Sequence, residues 1–590
     1  MQDCFDKLYA QSVSGYHFYD LTELMSSDDN IRLAYRNIKR HSGSKTAGTD
    51  KLKIDDILYL SVEDVIEKVQ AMFKWYEPQP VRRAFIPKGK GKTRPLGIPT
   101  IWDRIFQQCI LQILEPICEA KFHKHSYGFR PNRSTHHAKT RLEFLINQAG
   151  LYHCVDVDIK GFFDNVNHSK LLKQMWSLGI KDKPLLSIIS RLLKAEIEGE
   201  GIPSRGTPQG GILSPLLSNI VLNEMDWWVS DQWETFKSRY TYSTNGSKYQ
   251  FLKKTALKEC FIVRYADDFK VMCRTRSQAI RINYAVKDFL KNRLHLETSE
   301  EKSRVINLKK NSSEFLGFSI KAIRKGKTRF GYVARSDMSN KAKENAFQKI
   351  KEAIKVVKKK PSIQTVWNFN TVVMGIQNYY SVATQITINL NELNSHLRRT
   401  LYNQLKNIRT EAIFHDMTKT LQKRYKDYKT KLFRIQGMVF VPIHAQRWKN
   451  TLCFSQQTCN YTTEGRARIH NSLKAIDKTM LSYIMRNYIP NRSIEYNDNR
   501  ISKFIAQYGK CAILGVELGI NEWHCHHITP FHLSKDDSYS NLIIVDKAIH
   551  QLIHLKDKVK IETLLATLKL NSKQREKVNK LRLKCQNEII

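Results

Sequence analysis

FIVRYADDFKVMC, residues 261–273, is the stretch on which the reading of this chain turns. Apolar side chains alternate on both sides of Asp267–Asp268, the period-two pattern of two β-strands folded back on each other with the acids at the tip. An Asp-Asp pair alone says little, because Asp28–Asp29, Asp55–Asp56 and Asp536–Asp537 also occur and read as solvated turns. Placement sets Asp267 apart. Two apolar strands would hold its carboxylate rigidly at the surface of a sheet, where a hard cation offsets the charge.

A second strand offers that carboxylate a partner. YHCVDVDIKGFFDNVNH (152–168) reads as a strand leaving a core and entering a turn. Period two puts Asp156 and Asp158 on one face, with Val155 and Val157 on the other. With Asp158 beside Asp267, two Mg²⁺ could sit about 4 Å apart between them. One would lower the pKa of a 3′-hydroxyl, and both would stabilise charge on a transferring phosphorus. Mg²⁺ prefers oxygen and keeps substrate phosphates in its shell, so two or three carboxylates suffice. The competing reading is a pair of surface acids on unrelated strands.

The rest of the chain fits a partner rich in phosphate. Its 97 Lys and Arg against 56 Asp and Glu leave a formal charge of +41. A field of that sign concentrates polyanions, nucleic acid foremost, although a ribosome-associated basic protein would carry the same charge. At 590 residues the chain should divide into about three to five domains. A hydrophobic content of 41% supplies their cores and excludes a largely disordered chain. Eleven cysteines without a CxxC pair read as reduced thiols, neither a disulfide framework nor a zinc ribbon. No apolar run nears the ~18 residues of a membrane span. The start, MQDCFDKLYA, fits neither a secretory signal nor an Arg-rich transit peptide. These features predict a cytoplasmic location, in a bacterium or in the compartment of an organelle that encodes the protein.

Along the chain, residues 1–80 read as helical, with a turn-rich break at HSGSKTAGTD (41–50). Residues 81–320 alternate apolar runs, helical stretches and Gly/Pro punctuation, as in an α+β domain. A helix from Trp102 puts Ile105, Phe106, Cys109, Ile110, Ile113 and Leu114 on one face and is predicted to stop near Pro116. Residues 237–258 read as an exposed Lys-rich insertion. From 335 to 440 the pattern is helical, with Ala342, Ala346, Phe347, Ile350, Ile354 and Val357 as the buried stripe. Lys343, Lys351, Lys355 and Lys358 face solvent or phosphate. Residues 441–505 are basic and aromatic without a clear period.

Seven blocks follow one another in a telling order: RRAFIPKGKGKTRPLGIPTIWDRIFQQ (82–108), SYGFRPNRS (126–134), DIKGFFDNV (158–166), GTPQGGILSPLLSNIVLNEMD (206–226), RYADD (264–268), LETSEEKS (296–303) and FLGF (315–318). They resemble the blocks of reverse transcriptases encoded by group II introns, and GIQNYYS (375–381) resembles the maturase, or thumb, segment of that family. The resemblance implies a multidomain α+β fold shaped as a right hand. Residues 1–80 would form an N-terminal helical extension and the start of the fingers, and 81–325 the fingers and a palm with an antiparallel sheet. Residues 335–440 would be a helical thumb and maturase domain, and 441–505 a DNA-binding segment. Position by position, it makes Asp158, Asp267 and Asp268 the catalytic, Mg²⁺-binding acids. Phe163 would pack under the sugar and reject a 2′-hydroxyl. Lys92 and Arg94 would grip the incoming triphosphate, one as a point charge and one as a bidentate fork. Gln209, between Pro208 and Gly210, would approach the nascent pair and the template, and Lys302 would lie near the triphosphate. Asp156 and Asp164 read as structural. The implied partners are a group II intron RNA, target DNA and dNTPs.

WHCHHITPFHLSKDDSYSNLIIVDKAIHQLIH (523–554) carries a second chemistry. His550 and His554 share one face of a predicted helix, a spacing that lets both imidazoles bind one cation. The segment resembles a ββα-metal nuclease of the HNH type, predicted over 506–590. By that resemblance His526, His550 and His554 hold one divalent ion, Mg²⁺ or similar, and His527 is the general base. Asn541 would fix the loop and orient His527. His524 and His532 are left unassigned. Many relatives add two CxxC pairs on a structural metal, but here only Cys511 and Cys525 lie nearby, so no structural zinc is predicted.

Three alternatives make different demands. A reverse transcriptase of retron, CRISPR-associated or diversity-generating type should lack GIQNYYS and the histidine group. A non-enzymatic splicing maturase should have lost carboxylates that this chain keeps. A free-standing nuclease leaves the preceding 500 or so residues unexplained. The oligomeric state is not specified by any of these features. If phosphate contacts dominate, RNA affinity should fall steeply as salt rises, because binding releases counterions. Filter-binding titrations across a salt series test this, and a flat response refutes a phosphate-dominated interface.

Overall fold

The computed structural model describes residues 1–89, 92–428, 430–469 and 478–590. Two units emerge, each assembled from separated stretches of sequence. Unit one comprises Met1–Lys121, Phe163–Ile220 and Cys459–Ile590, and unit two comprises Phe122–Phe162 and Val221–Thr458.

Unit two is organised by an antiparallel sheet whose strands lie in the order Cys260–Tyr265, Asp268–Cys273, His153–Val157 and Arg304–Asn307. Val155, Val157, Phe269 and Val271 are fully buried on one face, as the alternation predicts. Helix Arg276–Asp288 packs against three of these strands. A second sheet of Ser313–Phe315, Phe318–Arg324 and Tyr332–Met338 follows. Its first turn, Leu316–Gly317, has φ of +53° and +81°, the type I′ geometry that matches the twist of a tight hairpin.

Helices Asn340–Lys359, Ile363–Tyr380 and Ile386–Leu405 pack together next. Ala342, Ala346, Ile350, Ile354 and Val357 are buried as predicted, while Phe347 is only half-buried. The helical pattern expected through residue 440 ends early. Thr410–Ala412, Leu432–Ile435 and Met438–Val439 form a small antiparallel sheet instead. Strands this short show no period to read, and the Gln436–Gly437 turn, with φ of +47° and +84°, closes the last pair. The predicted insertion at 237–258 contains a mostly exposed helix, Asn245–Leu252, anchored by buried Leu252.

In unit one, helices Gln2–Val13, Asp28–Arg40 and Val62–Lys74 surround Ile101–Glu119. That helix passes through Pro116 rather than stopping there. Proline forfeits one backbone bond, but Ile117 and Cys118 continue the buried stripe, and their burial offsets the loss. Strands Arg82–Gly89 and Lys92–Ile98 form a hairpin. Near the C-terminus, Trp523–His527 pairs with Leu542–Asp546, followed by helices Lys547–His554, Lys558–Leu568 and Ser572–Lys584. Helix Ile494–Ala506 joins this group to the N-terminal helices: Lys39 bonds Glu495 at 2.7 Å, and Tyr35 donates to Glu495 at 3.1 Å. It therefore runs across the predicted boundary at 505/506. Among the described residues, no helix is long and apolar enough to cross a membrane.

Two residues fix the turn at the end of the first sheet in unit two. Arg264 is buried and grips Asp226 of helix Ser214–Asp231 with two nitrogens, the closest contact being 2.6 Å. Its remaining nitrogen donates to the Ala266 carbonyl at 2.8 Å. Gly128 packs against the same turn, and a Cβ there would meet the Ala266 nitrogen at 2.2 Å. Replacing Asp226 by Ala strands a buried guanidinium and should cost about 3–5 kcal/mol. Urea unfolding of the full chain checks this, and an unchanged midpoint refutes it.

Candidate active sites

The acid-bearing hairpin closes with a two-residue turn, Ala266–Asp267, because Tyr265 pairs directly with Asp268. Ala266 alone has positive φ, +57°, which brings the strands back with Asp267 second in the turn. Next to the hairpin, Asp156 pairs with Lys270 and Val157 with Phe269. The pairing ends there, and Asp158 follows directly, placed by period two on the face of Asp156 at the end of the strand that neighbours the one beginning at Asp268. Like charges this close repel, and one cation underneath relieves them. The Lys270 ammonium is buried, bonds Asp156 at 2.5 Å and lies 5.6 Å from the Phe315 ring.

Asp268 does not escape the crowding. Burial, with Asp156 and Asp267 nearby, pushes its carboxyl up to about 6 against the pull of Lys270 and of the Leu316 amide, which donates to it. Asp158 is backed by the 297–303 segment. Its amide donates to Ser303 Oγ at 3.3 Å, and its carbonyl accepts from the Ser299 amide at 2.8 Å. Lys302 places its ammonium 3.0 Å from the Asp158 carboxylate, with most of the lysine side chain still open to solvent. Three carboxylates at the ends of rigid strands, all oxygen donors and one of them disfavoured as an anion, suit a hard divalent cation.

Other substrate-binding candidates lie in unit one. Arg94 is exposed on strand Lys92–Ile98, and the side chain of Lys92 lies outside the described residues. The loop bearing Gln209 packs on this strand, its carbonyl accepting from the Gly97 amide at 2.7 Å. Gly210 has φ of +123°, and a Cβ there would meet the Gly97 carbonyl at 2.5 Å, so the approach requires glycine. Phe163, in the short turn Phe162–Asn165, accepts from the Thr207 amide at 2.7 Å. Asp164, beside Phe163, lies within the fields of Arg83 and Arg94, yet burial raises its carboxyl.

The histidine group occupies both sides of one strand. His526 is buried, with its Nδ1 3.3 Å from His554 Nε2. The His550 ring lies 5.3 Å from that of His526 and 4.8 Å from that of His554, and stacks at 4.5 Å on His524. Burial, then the neighbouring imidazoles, holds His526 down at about 3 and His550 at about 4. Neutral imidazoles in this arrangement suit a metal ion. On the opposite face, His527 Nε2 lies 2.7 Å from Asp537 Oδ1, and the His527 ring stacks on Tyr496 at 5.3 Å. Asn541 accepts from the Thr529 amide at 2.8 Å and donates to the carbonyls of Thr529 and Asp536 at 3.0 and 2.9 Å, pinning the intervening loop.

Sequence reasoning missed Asp537, which it placed in a solvated turn. The residue is buried, and its other carboxylate oxygen accepts from Ser493 Oγ at 2.5 Å. No local pattern announces that contact, because it reaches back ten residues to His527 and forty-four to Ser493. Asp28–Asp29 and Asp55–Asp56 begin helices, where carboxylates suit the exposed amides. Arg264 stood in the quoted RYADD block, but its grip on Asp226 is equally long-range. Cys585 also escaped notice, and its sulfur lies 3.9 Å from His526 Nε2.

Comparison with known proteins places the chain in a family. Residues 86–320 match the family described as reverse transcriptase (RNA-dependent DNA polymerase). Protein YkfC of Escherichia coli K12 is 32% identical over 326 residues, covering 53% of this chain and 84% of that protein. The putative COX1/OXI3 intron 1 protein of Saccharomyces cerevisiae is 29% identical over 350 residues, covering 54% of this chain and 41% of that protein. A solved telomerase structure from Candida albicans aligns over 56% of this chain and 61% of that chain, at a TM-score of 0.29 and 11% identity, too distant to carry an argument. Group II intron-encoded protein LtrA of Lactococcus lactis subsp. cremoris is 31% identical over 458 residues, covering 66% of this chain and 74% of that protein. The chain thus belongs to the reverse transcriptase and maturase proteins encoded by group II introns.

Proposed function

We propose that this protein copies RNA into DNA at the aspartate hairpin, binds its own intron RNA and assists its splicing, and nicks DNA at the histidine group to supply the priming 3′-hydroxyl. The observation that supports the first part is the pairing of the strand ending just before Asp158 with the strand beginning at Asp268, with Asp267 in the adjoining turn.

Asp158, Asp267 and Asp268 would hold Mg²⁺, which when bound lowers the pKa of the primer 3′-hydroxyl and stabilises charge on the attacked phosphorus. The chain's own groups account for the rest. Arg264 and Gly128 keep Asp267 at a fixed height by fixing the turn. Lys302, beside Asp158 and largely exposed, can swing its ammonium onto a triphosphate oxygen. By the family resemblance, Arg94 would offer a planar fork to phosphate, and Phe163 would pack under the sugar and reject a 2′-hydroxyl. The backbone at Gln209, freed by Gly210, can approach a base pair closely.

At the second site, His526, His550 and His554 would hold a divalent ion that stabilises the departing 3′-oxygen. Asp537 accepts from His527 Nε2–H, which leaves Nδ1 to take the proton of the attacking water. Asn541 holds the loop carrying Asp537 and, through it, the orientation of His527.

Asp267→Asn should lower cDNA synthesis at least about 100-fold while leaving RNA affinity and assisted splicing nearly intact. A primer-extension assay run beside RNA binding tests this, and loss of all three activities together would make the residue structural. His527→Ala should remove about 10²–10⁴-fold of second-strand nicking, the usual share of a general base. Asp537→Asn should remove about 10–100-fold, in kcat rather than KM. Normal nicking by the His527 variant would refute its role as the base.

A further inference from the structure

We infer that Cys585 is a ligand of the histidine metal centre and that its thiolate makes this a zinc site, an inference that rests on reading His526 and His554 as ligands. One donor atom from each of His526, His554 and Cys585 lies within 4.8 Å of the others. Zinc bonds of about 2.0–2.1 Å to nitrogen and 2.3 Å to sulfur give tetrahedral edges of about 3.4 Å between nitrogens and 3.5 Å between nitrogen and sulfur. The closest approaches here are 3.3 Å from His554 Nε2 to His526 Nδ1 and 3.9 Å from the sulfur to His526 Nε2, the other nitrogen of the same ring. A tetrahedral ion therefore requires the His526, His554 or Cys585 side chain to turn until a single His526 nitrogen faces both partners.

The cysteine is built into this position. It follows helix Ser572–Lys584, whose Arg582 is buried and donates to the carbonyls of Leu552, Leu555 and Glu588. Asn587 donates to the Ile553 carbonyl at 2.8 Å. These bonds clamp the C-terminal tail onto the turn that carries His554, so Cys585 and His554 are held together. His550, proposed above as a further ligand, stacks on His524 with its ring 4.8 Å from that of His554, beside the three donors that already lie within 4.8 Å of one another. Thiolate and imidazole favour zinc, whereas magnesium prefers oxygen, so this donor set selects against the ion expected from the resemblance.

Cobalt substitution of the full-length protein tests the inference. Metal-stripped wild type titrated with Co²⁺ should bind one equivalent at this site, displaced by Zn²⁺, with a near-ultraviolet thiolate-to-cobalt charge-transfer band. Cys585→Ser should lose that band and weaken zinc at least about tenfold, the loss that even an outer-sphere partner causes. Bound zinc should also shield Cys585 from iodoacetamide in wild type, and His526→Ala should abolish the shielding, which guards against misfolding of the serine variant. A cobalt complex that depends on His554 but shows no band sensitive to Cys585→Ser overturns the inference and leaves the histidine site standing. Binding of cobalt and magnesium indifferent to His526→Ala and His554→Ala overturns both.

Discussion

Carboxylates repel one another, and the sheet of unit two must hold Asp156, Asp158, Asp267 and Asp268 close together. The buried Lys270 makes this possible. Its ammonium neutralises Asp156 beneath the others, so the surface acids face one buried negative charge fewer. A buried pair of this kind contributes little net stability, since desolvation consumes most of the Coulomb gain. Its contribution is to position. The same holds for Arg264 and Asp226, which spend a buried ion pair on fixing a turn. Burial, with lesser contributions from Asp156 and Asp267, still lifts the Asp268 carboxyl to about 6.

Unit one solves a different problem. The ββα element builds its core from Leu542, Ile544, Val545, Ile549, Leu552 and Ile553, extended by Val578 and Leu581 of the last helix and by Ile501 and Phe504 of helix Ile494–Ala506. That last-named helix faces two ways. Glu495 and Asp498 bond the basic side chains of Lys39 and Arg36, while Tyr496 stacks on His527 and Asn499 donates to the Asp537 carbonyl. Much of the histidine element's rigidity is therefore borrowed from the N-terminal helices.

What could be read from sequence follows the range of each interaction. The acid hairpin was legible because its signal is local: alternation on both sides of a two-residue turn. Period two was enough to put Asp158 on the face of Asp156, whereas its proposed role came from the family resemblance. His550 and His554 announce themselves through helical spacing. Asp537 could not, for nothing in KDDSY distinguishes a solvated turn from a carboxylate folded onto His527. Pro116 misled in the opposite sense, because its local cost is plain whereas the burial of Ile117 and Cys118 that overrides it is tertiary. The small sheet at 410–439 was hidden by strands of two to four residues, too short to display any period.

Leu316 touches two parts of unit two at once. Its amide donates to Asp268, and its carbonyl accepts from the Tyr379 hydroxyl at 2.9 Å, on the helix Ile363–Tyr380. Gly317 beside it leaves no slack, as a Cβ there would meet the Tyr380 hydroxyl at 2.9 Å. One peptide thus serves as a mechanical link. A hydrogen bond tolerates stretching of only a few tenths of an ångström before it weakens steeply. Sliding of that helix along the strands would therefore pull on the peptide that faces Asp268, which couples helix position to acid geometry.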